Sequence, residues 1–351
     1  MKYISLLKKT PGNLVMLLAD AGMILAVMFA GCRTTEEPGE AEMNAGRADC
    51  NAGDYESAFR KFLLAAEQGN PGAQNLLGVC YSEGIGVEQD YAEAVKWFRA
   101  AAEQKFDLAQ KNLGFCYESG QGVEQDYAEA VKWYRLAADQ GVSTAQILLA
   151  SAYGLGRGVE QDDEAAFKWM SKAADQDDEI AQYCLALFYR HGRGVEQNDR
   201  KAAKWFKKAA EQGNIDAQFW FAWHRYHGIG GRKDEKEAAK WWRKAAEQGD
   251  AESQNWFGLC CLGGKGVEQD LEQAVEWFRK SAEQGFPAAQ FSLGLCFYEG
   301  FGIEKDTSEA VDLWLKAAEQ GLEDAEEHLK YFAGQGNAEA KAALEELEKG
   351  K

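Results

Sequence analysis

The sequence predicts an all-α solenoid of antiparallel helix pairs, and three observations carry that prediction. First, the dipeptide Ala-Gln begins at Ala73, Ala109, Ala145, Ala181, Ala217 and Ala289, with Ser253 in the same column, so every step is 36 residues. A constant period of this length is the mark of a repeat array. Second, the apolar residues of each period fall at helical spacing in two blocks separated by a glycine-containing loop. Third, a chain of 351 residues that is 46% hydrophobic, with 37 glycines and only 4 prolines, suits helices joined by short turns.

The N-terminal thirty or so residues differ from the rest of the chain. Lys2, Lys8 and Lys9 precede an apolar stretch from Leu14 to Ala30 that ends Phe29-Ala30-Gly31-Cys32. This reads as an export signal over residues 1–31. Its ending resembles a bacterial lipobox, which makes Cys32 the lipidation candidate and implies a membrane-anchored lipoprotein of the cell envelope; an uncleaved anchor is the alternative. Phe29 and the charged Asp20 depart from the usual pattern. Residues 32–44 are polar and patternless, as a tether should be. The repeat domain is expected over 45–351: a partial unit at 45–72, seven full repeats at 73–324, and a C-terminal cap at 325–351.

One unit illustrates the rest. Ala73, Leu76, Leu77, Cys80 and Tyr81 form one face of a first helix. That helix stops at Gly84, in a column continued by Gly120, Gly156, Gly192, Gly228, Gly264 and Gly300, and a second glycine column lies two residues on. Asp90 with Glu93 then reads as a capping box, as do Asp126 with Glu129, Asp234 with Glu237, Asp270 with Gln273 and Asp306 with Glu309. On the second helix, Ala94 heads an all-alanine column suited to close helix approach. Three residues later Trp97, Trp133, Trp169, Trp205, Trp241 and Trp277 repeat, and are expected to be core.

This pattern, Ala-x-x-x-Leu-Gly-x-x-Tyr-x-x-Gly-x-Gly-Val-x-x-Asp-x-x-x-Ala-x-x-Trp-x-x-x-Ala-Ala, resembles the Sel-one-like repeat family, relatives of the tetratricopeptide repeat. The resemblance covers Ala73 to Asp324 and implies a right-handed superhelix that serves as a protein-binding scaffold. By the same analogy the first helix of each pair lines a concave face. Its outward stripe in the later units selects Tyr183, Leu187, Arg190, Phe219, Trp223, Tyr226, His227, Leu259, Leu262, Phe291, Leu295 and Tyr298 as candidate contacts for a protein or peptide. Packing between neighbouring helices is the competing role for any one of them.

The unit from Ala217 departs most: Arg225 replaces the tyrosine, Gly230-Gly231-Arg232-Lys233 replaces the usual loop, and Trp220, Trp223, His224 and His227 occur together. Arg225, Arg232 and Lys233 suggest either a positive patch for an acidic peptide or drift in a tolerant loop. His224 and His227 share a helix face, but no third ligand is placed with them, so no metal is assigned. Glu327-His328 lacks the second histidine of a zinc hydrolase helix, and Ser5-Leu6-Leu7-Lys8 lies in the signal. No cofactor or catalytic residue is assigned. Cys80, Cys116, Cys260 and Cys296 share a column one repeat apart, roughly 9–10 Å for packed helices and beyond disulfide reach. They read as buried free thiols, and Cys50, Cys184 and Cys261 have no assigned pairing. A formal net charge of −18 argues against nucleic acid as a partner. An enzyme acting on cell-wall or β-lactam compounds and a purely structural spacer are the rival readings to an interaction scaffold.

Overall fold

The computed structural model describes residues 38–350. It comprises two compact units divided after Gln176. The first holds α1 (Glu40–Ala52), α2 (Tyr55–Glu67), α3 (Pro71–Glu83), α4 (Tyr91–Glu103), α5 (Asp107–Ser119), α6 (Tyr127–Asp139), α7 (Ser143–Leu155) and α8 (Asp163–Ala174). The second holds α9 (Glu179–His191), α10 (Asp199–Glu211), α11 (Ile215–His227), α12 (Glu235–Glu247), α13 (Ala251–Gly263), α14 (Leu271–Glu283), α15 (Pro287–Glu299), α16 (Thr307–Glu319), α17 (Glu323–Gly334) and α18 (Ala338–Gly350). The described residues contain no strand, and each odd-numbered helix packs against the even-numbered helix next in the chain. The fold is an all-α solenoid.

Local chemistry sets the helix ends. Asp90 accepts from the backbone N–H of Ala92 and Glu93 at 2.9 and 3.0 Å, and Asp126, Asp234, Asp270 and Asp306 cap in the same way. The acidic half of the expected capping box goes elsewhere: Glu93 pairs with Lys96, Glu129 with Lys132 and Glu237 with Arg225. At the other end of the loop, Gln89 donates to the Ser82 carbonyl at 2.6 Å and Gln125 to that of Glu118 at 2.7 Å. These bonds satisfy carbonyls in the last turn of the preceding first helix.

The second glycine column is the more demanding of the two. Gly122 has φ +70°, and a Cβ there would lie 2.1 Å from the Tyr91 carbonyl oxygen of the previous pair. Both the left-handed backbone and this backbone-to-backbone approach require glycine.

In several pairs, a ring of the second helix sits on a glycine of the first. Phe98 covers Gly78, Tyr134 covers Gly114, Phe278 covers Gly258 and Trp314 covers Gly294. The most deeply buried large side chains therefore include Trp242, Trp314, Tyr134, Phe206 and Phe278, each one residue after the tryptophan column or, for Trp314, after Leu313 in that column. This corrects the expectation that the tryptophan column itself forms the core. Trp97, Trp133, Trp169, Trp205 and Trp277 are half-buried, with only Trp241 buried. The ammonium groups of Lys172, Lys208, Lys244 and Lys280 lie 3.8–4.4 Å from the centroids of the indoles three residues earlier.

The Gln of the Ala-Gln column has a structural role of its own. Gln110 is buried, donates to the Ala102 carbonyl at 3.2 Å and accepts from Gln140 at 2.8 Å. The arrangement recurs at Gln74, Gln146, Gln218 and Gln254. Each such amide joins three helices: the end of the preceding second helix, its own first helix and the end of the next second helix.

Folding also begins before residue 45, so the assignment of residues up to Asn44 to a tether is corrected. Helix α1 starts at Glu40, because Gly39 lies against Ala65 and Gly46 receives the Phe62 ring of α2. The shorter connection between α1 and α2 removes the 36-residue spacing that marks the other pairs. Among the described residues no helix is long and apolar enough to cross a membrane. Leu14 to Ala30 and Cys32 lie outside the described residues.

Candidate partner-binding surface

The predicted stripe falls on α9, α11, α13 and α15. Tyr183, Leu187, Arg190, Trp223, Tyr226, Leu259, Leu262, Phe291, Leu295 and Tyr298 are half-buried, His227 is exposed and Phe219 is buried at 7% exposure. Phe219 thus supports the surface and does not form part of it. The side chains gather into two aromatic groups rather than one continuous strip.

The first group spans α9 to α13. Trp223 stands edge-on to Trp256 at 5.1 Å between centroids, and its other ring neighbours are Phe219 at 6.3 Å, Trp220 at 6.4 Å and His227 at 4.2 Å. Trp256 stacks on buried Trp242 at 5.0 Å, and Tyr226 closes the ring set at 5.3 Å from Trp242. Leu187 and Leu259 pack against the same core. On the α9 side, the Arg190 guanidinium lies 3.6 Å from the Trp220 centroid, and burial holds its pKa below the usual range. Lys265 donates to the Tyr226 hydroxyl at 3.1 Å. The second group lies further on: Phe291 meets His328 at 4.8 Å, Tyr298 meets Phe332 at 4.6 Å, and Leu295 packs beside them.

The rings that bridge successive first helices, Trp220, Trp223 and Trp256, include two that the stripe did not select. Their signal was legible, since Trp220 and Trp256 stand 36 residues apart in one column. Large aromatic faces held rigid by neighbouring rings and left partly open can take up apolar or cationic side chains at little cost in rotamer freedom.

The departures around Arg225 resolve differently. Arg225 binds Asp234 at 3.3 Å and also Glu237, and Lys233 binds Glu235 at 2.7 Å. These carboxylates neutralise Arg225 and Lys233, two of the three residues of the suggested positive patch. The two histidines part company as well. His224 is 1% exposed, faces Phe206 at 5.3 Å and makes a 3.3 Å contact from Nδ1 to the Ile229 carbonyl, whereas His227 lies outside on Trp223. Burial, helped by the nearby Arg190 charge, lowers the His224 pKa to about 4.

All the described cysteines are free, and Cys80, Cys116, Cys260 and Cys296 are buried. Burial pushes Cys80, Cys116, Cys184 and Cys260 up to about 12 and Cys261 and Cys296 to about 11. None of these six supplies a thiolate near neutral pH.

The Sel1 repeat family matches this chain in seven segments: 71–106, 107–142, 143–178, 180–214, 215–250, 251–286 and 287–322. This chain belongs to the Sel1 repeat family. Six of the seven Sel1 segments begin at the first residue of a first helix and the remaining one, 180–214, begins one residue inside α9, so the family's phase leads the Ala-Gln count by one or two residues. The chain is similar to the crystal structure of c5321, a protective antigen present in uropathogenic Escherichia coli strains that displays an SLR fold. That match has 36% identity and a TM-score of 0.83, and covers 89% of this chain and 68% of the other. It is also similar to a Sel1 repeat protein from Oxalobacter formigenes, with 33% identity, a TM-score of 0.62, and coverage of 88% of this chain and 99% of the other. Among curated proteins no sequence matches. Sel1 repeat proteins are generally protein-interaction scaffolds and generally not enzymes.

Proposed function

We propose that this Sel1 repeat protein binds a protein or peptide partner along the first-helix face of its second unit, with Trp223, Trp256, Tyr226 and Arg190 as the principal contacts. The observation that carries this reading is the open aromatic wall on α9, α11 and α13, where rings that could have been sealed in the core remain half-buried. Aromatic and arginine side chains braced in this way are the usual anchors of protein recognition. The scaffold is held at the cell envelope through acylated Cys32, which leaves the repeat units to present this wall to other envelope proteins.

A photo-reactive residue in place of exposed His227 tests the binding face in living cells. The expected result is one discrete crosslinked protein, absent when the reporter replaces Glu103 on a second helix. The same adducts from both positions count against the assignment. Metabolic labelling with a radioactive fatty acid tests the tether: label is expected on the wild-type chain and lost in Cys32→Ser.

A further inference from the structure

We propose that the outward face of α10 and α12 docks onto the anionic surface of a phospholipid bilayer. One repeat column sets these two helices apart. In the first unit the cation of this column is matched on each second helix by a carboxylate about one turn earlier: Arg60 by Glu56, Lys96 by Glu93, Lys132 by Glu129 and Lys168 by Glu164. The column continues as Lys204 on α10 and Lys240 on α12, but there the acidic partners are gone. On α10 the positions three and four residues earlier are Lys201 and Arg200. On α12 they are Glu237 and Lys236, and Glu237 is bound to Arg225 from the neighbouring first helix.

Among the described residues, no carboxylate lies within ion-pairing distance of Arg200, Lys201, Lys204 or Lys208. The same holds for Lys236, Lys240 and Lys244. Helix α10 carries five cations against two carboxylates, on a chain whose total charge is −18. The departure at Arg225 thus acts at a distance: by holding Glu237 it leaves Lys240 without its usual partner.

Two further features favour a lipid surface. The half-buried Trp205 indole carries Lys208 over its face at 4.4 Å, and lysine with tryptophan is the pairing enriched where protein meets headgroups. Between α12 and α13 there is also an open depression of about 430 Å³, lined by Lys236, Lys240 and Arg243 together with Phe257 and Val267. Asp234 and Glu237 line it too, both held by Arg225. Cations spread over two consecutive second helices, beside a partly apolar hollow, suit an extended sheet of phosphates with acyl chains beneath. These charges belong to second helices and are distinct from both the aromatic wall and Cys32.

The test uses the full chain reconstituted with vesicles of phosphatidylcholine alone, or with about one third phosphatidylglycerol. Lysine acetylation rates are read residue by residue by mass spectrometry. Phosphatidylglycerol is expected to slow acetylation of Lys204, Lys208, Lys240 and Lys244 about fivefold, the effect being reversed by high salt, with Lys96 and Lys132 unchanged. The exposed double variant Lys204→Glu, Lys240→Glu, folded by circular dichroism, is expected to lose the protection of Lys208 and Lys244. Equal rates in the two vesicles overturn the proposal. So does protection by duplex DNA without protection by phosphatidylglycerol, which would reassign the face to a nucleic acid.

Discussion

The Phe98 ring lies so close to Gly78 that a Cβ at residue 78 would come within 2.6 Å of its carbons. The same seat is glycine beneath Tyr134, Phe278 and Trp314, and alanine at the corresponding positions Ala150, Ala186 and Ala222. The interior of each helix pair is thus a small residue on one helix and a large one on the other. Gly78→Val is expected to lower stability by about 2 kcal/mol through overpacking, read as a shift of the urea midpoint with an unchanged slope. A midpoint within error of wild type contradicts this account of the core.

Two glycines of one loop separate conformational demand from contact. Gly120 and Gly122 both have positive φ, but an added Cβ meets the Gln125 side chain at 3.3 Å in the first case and the Tyr91 backbone carbonyl at 2.1 Å in the second. A side chain can yield where a backbone cannot. Gly120→Ala is therefore expected to cost about 1 kcal/mol and Gly122→Ala clearly more, measured as thermal midpoints of the two variants side by side. Equal losses would mean that the inter-pair approach carries no weight.

Gln110 offers a test of the amide ladder. Gln110→Ala leaves the Ala102 carbonyl and the Gln140 amide without their buried partner, so a loss of about 1–3 kcal/mol is expected. Gln140→Ala in that background should cost less than it does alone, because the bond is already missing. Strict additivity in this double-mutant cycle argues against the coupling.

His224 predicts a pH dependence. Its pKa is lowered to about 4 in the folded protein, against about 6.5 in an unfolded chain, with burial the main cause. As pH falls through 6.5 the unfolded chain takes up a proton that the folded one does not, so stability drops until about pH 4. Between pH 7 and pH 5 the stability of His224→Phe should gain about 2 kcal/mol on wild type, from urea titrations at both values. Parallel curves would show that the ring is not desolvated.

Much of the solenoid was legible because its strongest signals are local and repeat. Asp90, Gly84 and Ala94 mark a cap, a stop and a close approach by their own chemistry, and 36-residue spacing multiplies the evidence. Burial is a different matter. The constancy of the tryptophan column suggested core, yet the deepest side chains occupy the variable column beside it, where Phe98, Tyr134, Met170 and Trp242 share depth rather than identity. Constancy at Trp205 and Trp277 goes instead with a half-buried indole beneath a lysine. The expected stripe lies on first helices, but helical periodicity does not separate half-buried Trp223 from covered Phe219; that depends on which neighbouring ring leans over it. The Gln110–Gln140 bond went unread because it joins two columns 30 residues apart, a spacing that only the superposition of helix pairs brings together.

The central claim, that the first-helix aromatic wall of the second unit grips a partner, is tested most directly by titrating the protein captured through position 227 against matched variants. Trp223→Ala is expected to weaken binding at least about tenfold, while Trp169→Ala, a half-buried indole on a second helix, leaves the affinity unchanged. Unaltered binding by Trp223→Ala, with its circular dichroism intact, would contradict the account.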